Sequence, residues 1–277
     1  YLEDYYDGNP SFYNLSFESA IIHANYQLGE HYDLEELKTK LFEFYDTIDY
    51  SALDNYQDII VFDNTNNYIE TMMYQLLEDE TEEEKAAFYE DIATQYPKQP
   101  NAHYQLMQIY NTLEDYPNCE KATIEYLSTK KEEAYADSNL EKVHFLMVKS
   151  KAHQGKAEDA IAYFEEHYSA IQSLMDAENW VYMTTMILPS YVNTERNEHV
   201  FELVNSTLNI YRENEVDDAW SYEQINISKA IALHNSGKNK EALVLLDELM
   251  QQPNYDPVLE DYKKEWKPKG FFSKFGF

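Results

Sequence analysis

The residues best able to do chemistry in this chain are eight histidines, one cysteine and 52 acidic residues. Their spacing forms no familiar catalytic or metal-binding motif, because HExxH, P-loop, glycine-rich dinucleotide, CxxC and GxSxG patterns are all missing from the sequence. Acidic residues stand directly beside His31 and His167, but sequence neighbours on a helix do not share a face. These pairs are therefore not interpreted as metal ligands.

Cys119 is the only cysteine, so the chain cannot form an internal disulfide. No second cysteine or histidine lies near it in the sequence to activate the thiol, which predicts an inert side chain. A single unpaired cysteine is typical of a reducing compartment, and we expect a cytoplasmic protein. We predict that the protein is not an enzyme, with no catalytic residues, no metal and no cofactor.

The sequence favours a binding function over catalysis, and the candidate binding residues lie on predicted helices. Residues 144–168 predict one helix ending near Gln154, a tight turn at Gly155-Lys156, and a second helix that places Ala160 and Phe164 on one side. The order Gly-Lys-x-x-acid-Ala recurs from Gly237 to Ala242. This recurrence predicts a repeated helical hairpin.

The glycine spacing gives the length of the repeat. Gly29 also separates two helix-like runs, and the intervals are 155 − 29 = 126 and 237 − 155 = 82 residues. These equal three and two periods of about 41 to 42 residues, within the range of stacked helical repeats. We expect six hairpins, with turns near residues 30, 79, 114, 155, 196 and 238.

These hairpins resemble tetratricopeptide repeats, on the basis of Ala152, Gly155, Ala160 and Phe164 in one hairpin and the matching Gly237, Ala242 and Leu246 in another. The period departs from the 34 residues of that family, so a HEAT-like helical repeat remains an alternative. The resemblance implies an all-α, right-handed α-solenoid of about six such hairpins with a C-terminal capping helix. In such arrays the first helix of each hairpin lines the concave face.

We divide the chain into an N-terminal extension (1–14), a repeat domain (15–252) and a C-terminal segment (253–277). The repeat is expected to be irregular at 48–65, with a short extra helix over 51–62 and a separate helix from Tyr68. Thr81 and Glu84 have the spacing of a capping box. Pro189 is expected to kink or shorten its helix.

Aligning the turns predicts which side chains line the concave groove. These side chains combine amide, imidazole, aromatic and thioether groups, which suit the backbone and apolar side chains of an extended peptide. The groove residues are His23, Tyr26, His103, Met107, Tyr110, Asn111, Phe145, Lys149, His153, Asn193, Gln224, His234 and Asn235, with Ser19, Met186, Ser190, Ile227 and Ile231 beside them. Packing between helices is the structural alternative for each of them.

The segment 263–277 forms a second candidate site. It carries five lysines against Glu265, interleaved with Trp266, Phe271, Phe272, Phe275 and Phe277. A cationic aromatic tail can fold back into the groove, bind a partner or touch a membrane surface, and a packing cap is the plainer interpretation. We expect it to dock within the molecule.

The net charge of −31 disfavours nucleic acid and anionic membrane as partners and favours a basic protein or peptide. The prediction is a scaffold that binds a protein segment. The sequence also resembles, less closely, bacterial cytoplasmic receptors for signalling peptides of the Rap and PlcR type, which implies a peptide-responsive regulator whose DNA-binding segment is not seen here. An acidic decoy of nucleic acid is the third hypothesis. The oligomeric state is left open.

Overall fold

A computed structural model describes residues 10–47, 56–129 and 139–267 of the chain. These residues form fourteen α-helices and, within those ranges, no strand. The first seven helices are α1 Pro10–Gln27, α2 Leu34–Thr47, α3 Tyr56–Leu76, α4 Glu82–Gln95, α5 Pro100–Thr112, α6 Tyr116–Thr129 and α7 Leu140–His153. The others are α8 Ala157–Glu166, α9 Tyr168–Leu174, α10 Ala177–Asn193, α11 Asn197–Glu213, α12 Ala219–Asn235, α13 Asn239–Leu249 and α14 Val258–Trp266. The prediction of an all-α protein is confirmed in the described part of the chain.

The chain divides into two compact units, Tyr1–Ser138 and Asn139–Phe277. In unit 1, α1, α2 and α3 pack against one another, and α5 packs between α4 and α6. In unit 2, α7 with α8, α10 with α11, and α12 with α13 form antiparallel neighbours joined by short turns. The first helix of each later hairpin contacts both helices of the hairpin before it, and α14 packs on α13. Unit 2 is therefore a stack of three hairpins with a terminal helix.

The same backbone turn ends the first helix of several hairpins. Gly155 and Gly237 have positive φ angles of 73° and 78°, and Glu114 and Glu195 take the same left-handed conformation at 56° and 57°. After each of these residues, the next amide donates to the carbonyl five residues back at 2.9 to 3.0 Å. This hydrogen bond and the left-handed residue define a Schellman motif. The turns at Glu114 and Glu195, which lack glycine, thus have the same geometry as those at Gly155 and Gly237.

Helix α3 corrects the expected irregularity at 48–65. The sequence predicted a short helix over 51–62 and a new helix from Tyr68, but α3 runs without a break from Tyr56 to Leu76. The polar residues that suggested a loop include Thr65 and Asn66, both fully buried. The hydroxyl of Tyr45 donates to the Asn66 amide oxygen, so these side chains belong to the helix packing. Residues 48–55 lie outside the described part.

Other local predictions had mixed outcomes. The capping box is confirmed, since the Glu84 amide donates to the Thr81 hydroxyl and the Thr81 amide to the Glu84 carboxylate. Helix α10 continues through Pro189 to Asn193, so the proline does not shorten it. Helix α1 begins at Pro10, inside the expected extension, and α9 was not predicted. In the described ranges, no helix combines the length and apolar character that crossing a membrane requires.

Candidate functional site

An exposed row of three aromatic rings crosses the first helices of the three hairpins in unit 2. Phe145 of α7 stacks on Tyr182 of α10 at 5.2 Å between ring centroids, and Tyr182 contacts Trp220 of α12 at 6.1 Å. Tyr182 and Trp220 are 37% and 49% exposed. Phe145 is half-buried because it also packs against the unit 2 core. We call these three residues the ring row.

The ring row crosses its helices obliquely. Phe145 precedes the left-handed residue Gly155 by 10 residues, Tyr182 precedes Glu195 by 13, and Trp220 precedes Gly237 by 17. From one hairpin to the next, the ring therefore lies about one helical turn farther from the turn that ends its helix. Helices pack at an angle, with the ridges of one in the grooves of the next, and equivalent positions therefore do not face each other across the stack. An alignment at constant distance from the turn misses the second and third rings.

The two sides of the ring row differ in chemistry. One helical turn toward the N-termini lie Glu141 and Glu178, four residues before Phe145 and Tyr182, whereas Asp217 is exposed and precedes the start of α12. One turn toward the C-termini lie Lys149, Met186 and Gln224, each half-buried and four residues after a ring. Side chains four apart share a helix face. The row thus separates an acidic edge from a mixed polar and thioether edge.

The remaining predicted groove residues of unit 2 are distributed as follows. His153, Asn193 and Asn235 are exposed near the C-termini of α7, α10 and α12. Ser190 and Ile227 are buried and therefore not available to a ligand on this surface. His234 stacks on Trp266 at 4.4 Å between centroids. The predicted groove residues Phe145, Lys149 and Gln224 lie in or beside the ring row, whereas its two exposed rings, Tyr182 and Trp220, were not among the predicted residues.

Unit 1 places its predicted groove residues in several environments. His23 stacks on Tyr68 of α3 at 5.1 Å between centroids, and Tyr26 and Asn111 are half-buried. Met107 is fully buried against α6, where its carbonyl accepts from the Cys119 thiol at 3.2 Å. A surface ligand cannot touch Met107, because interhelical packing covers it. His103 and Tyr110 of α5 line a pocket together with residues of α4 and α6.

The C-terminal segment is only partly described. Trp266, part of the segment expected to dock within the molecule, is 7% exposed and packs in the core formed by α12, α13 and α14. Its ring lies between His234 and Tyr262. Phe271, Phe272, Phe275 and Phe277 lie outside the described residues. Trp266 therefore closes the hairpin stack, consistent with the structural alternative for this residue.

His144, a buried residue of α7 next to Phe145, contacts the side chains of Tyr163 and His167. His144 Nδ1 lies 2.8 Å from the Tyr163 hydroxyl, and the His167 ring is 5.2 Å from the His144 ring. Burial, with a smaller effect from His167, lowers the pKa of His144 to about 4. His144 is therefore neutral at pH 7 and acts as a packing residue. The described residues contain no group of three or more His, Cys, Asp or Glu side chains placed to hold a metal.

Comparison with known proteins identifies no relative: no protein-family model, curated protein or solved structure matches the chain.

Proposed function

We propose that the protein is a non-enzymatic interaction module, in which tetratricopeptide-like hairpins form a right-handed solenoid and bind an extended peptide. The ring row carries this proposal. Solvent-exposed tyrosine and tryptophan in contact with each other are costly to leave in water and are the side chains most often found at binding hot spots. Together with the half-buried Phe145, Tyr182 and Trp220 form a continuous strip of rings across successive first helices.

The ligand class follows from the two edges of the row. An extended chain alternates its side chains, so apolar groups of a peptide can pack on the rings while intervening groups point away. The acidic edge of Glu141 and Glu178 favours lysine or arginine in the peptide. Gln224 on the opposite edge can hydrogen-bond to the peptide backbone, and Met186 adapts to apolar groups of different shape. The net charge of −31 favours the same basic ligand.

The test is selection of binding peptides from a random library of displayed dodecamers, with the full chain as bait. We expect enrichment of peptides that combine aromatic or branched apolar residues with lysine or arginine. Replacing both Tyr182 and Trp220 by alanine should weaken a selected peptide at least about tenfold, since central aromatic contacts contribute more than about 1 kcal/mol each. Fluorescence anisotropy of the labelled peptide measures the affinity.

Tyr74 provides the matched control, because it is a 59% exposed tyrosine that belongs to unit 1 and is not a member of the ring row. Tyr74→Ala should leave the affinity unchanged. The proposal is wrong if the selected peptides bind the Tyr182→Ala/Trp220→Ala variant as tightly as the parent chain. Selection of lysine-rich peptides without apolar residues, with a steep salt dependence, would instead favour an acidic decoy.

A further inference from the structure

Unit 1 contains a pocket of its own. It has a volume of about 350 Å³ and lies among α4, α5 and α6. Three buried residues of α5, His103, Leu106 and Tyr110, form its floor, because positions spaced three and four apart share a helix face. Ala93 of α4 and Ala122 of α6 add small apolar walls. The volume falls in the range of small-ligand sites.

The rim of this pocket is charged. Glu90 on α4 and Glu125 on α6 stand on its two sides, with Lys121 one turn before Glu125. The Tyr110 hydroxyl donates to a carboxylate oxygen of Glu90, which fixes that side chain at the pocket. Burial, assisted by Glu90, raises the pKa of Tyr110 far above 10, so the hydroxyl remains a donor. Two carboxylate groups therefore flank the floor of the pocket.

The ring of His103 is held by a hydrogen bond within the protein. Its Nε2 donates to the Pro97 carbonyl at 2.9 Å, which holds the turn between α4 and α5 against the pocket floor. The ring lies in the floor with its edge fixed by this bond. The two carboxylates are thus the groups in the pocket best placed to recognise a ligand by charge.

We propose that this pocket binds an alkylammonium or alkylguanidinium group, with the alkyl chain over Leu106 and Ala122 and the cationic head between Glu90 and Glu125. Lysine and arginine side chains and free diamines share this chemistry, combining an apolar stem with a charged head. Lys121 opposes the cation, and it limits the affinity of the site. The pocket is independent of the peptide-binding role proposed for unit 2.

Calorimetric titration of the full chain tests the pocket with three probes: 1,5-diaminopentane, Nα-acetyl-lysine methylamide and the uncharged analogue 1-pentanol. We expect saturable binding of the two cations and none of the alcohol. Glu90→Gln/Glu125→Gln should weaken the binding of both cations about tenfold or more, because both opposite charges are removed. The glutamine oxygen at position 90 can still accept the hydrogen bond from the Tyr110 hydroxyl. Lys121→Gln should strengthen them about threefold, since a like charge is removed.

The matched control is Glu35→Gln/Glu83→Gln, which changes the net charge equally at two exposed sites outside the pocket. The proposal is overturned if both double variants lose affinity equally, because the cations then respond to overall charge. It is also overturned if 1-pentanol binds as well as the diamine. Tighter binding of the lysine derivative would identify a protein side chain as the ligand, and tighter binding of the diamine a free amine. The Lys121→Gln result provides a second readout should the double variant fold poorly.

Discussion

At the scale of single residues, the left-handed turns show how the same geometry is reached with unlike side chains. The cost of positive φ falls on the Cβ atom, so glycine is the usual choice. Glu114 and Glu195 have this conformational cost at their turns, whereas Gly155 adopts the same conformation without it. No atom lies within 4 Å of a Cβ added at Gly155, so steric contact with neighbours is not what requires glycine there. The sequence revealed the glycine turns but gave no sign of the left-handed glutamates.

This difference gives a stability prediction for Glu195→Gly. Relief of left-handed strain should exceed the added entropy of the unfolded chain, and the free energy of unfolding should rise by about 0.5–1 kcal/mol. Glu195→Ala removes the same side chain but keeps the strain, and should give no such gain. Chemical denaturation of the three proteins measures the effect. Equal stabilisation by alanine and glycine would show that the glutamate side chain, and not its backbone angle, was responsible.

At the scale of helices, the sequence located most of unit 2 but not the crossing of the helices. Regular apolar spacing and glycine turns identified α7, α8, α12 and α13, whereas the register between neighbouring helices depends on packing angles that no local pattern encodes. For this reason the alignment of turns included Phe145 of the ring row but not Tyr182. In unit 1, α3 was missed in part because buried Thr65 and Asn66 carry polar side chains that are typical of loops.

One polar contact between helices gives a second prediction. The hydroxyls of Thr184 on α10 and Thr207 on α11 lie 3.1 Å apart, and both residues are fully buried. Thr184→Val or Thr207→Val alone should lower the free energy of unfolding by about 1–2 kcal/mol, because the remaining hydroxyl loses its partner. The double valine variant should cost less than the sum of the single changes.

A double-mutant cycle by chemical denaturation measures that coupling. Additive losses would mean that the two hydroxyls do not stabilise one another, for example because each bonds to a carbonyl of its own helix. Thr194→Val is a suitable comparison, since its hydroxyl bonds to Ser190 and Tyr191 carbonyls within its own segment. Its effect should be independent of Thr207→Val.

At the scale of the whole molecule, each unit contains a buried ionisable group, and burial shifts the two pKa values in opposite directions. In unit 1, burial raises the pKa of Glu70 from 4.5 to about 8, with hydrogen bonding to Gln105 offsetting this only in part. In unit 2, burial lowers the pKa of His144 from 6.5 to about 4. Native Glu70 retains a proton that the unfolded chain releases, whereas unfolded His144 binds a proton that the native state excludes.

The two units should therefore respond to pH in opposite directions. The stability of unit 1 should fall as pH rises from 4.5 to 8, by an amount of the order of 4 kcal/mol. The stability of unit 2 should fall as pH drops from 6.5 to 4, by about 2 kcal/mol after allowance for partial solvation. Amide hydrogen exchange across this pH range, corrected for intrinsic rates, measures each unit separately.

Glu70→Gln and His144→Gln are the variants that check the assignment. Glu70→Gln should remove the loss of stability of unit 1 at rising pH and leave the pH dependence of unit 2 unchanged. His144→Gln should remove the loss of stability of unit 2 at falling pH. If either unit keeps its full pH dependence in its own variant, another group controls it.

The recurring turn also bears on how this chain can change in length. Left-handed residues at 114, 155, 195 and 237 are separated by 41, 40 and 42 positions, and each begins the approach to a new helix. An insertion or deletion of one complete interval returns the backbone to the same conformation, whereas a change of a few residues rotates every later side chain on its helix. Engineered fusions and natural rearrangements alike are therefore best tolerated when their breakpoints fall at these four residues.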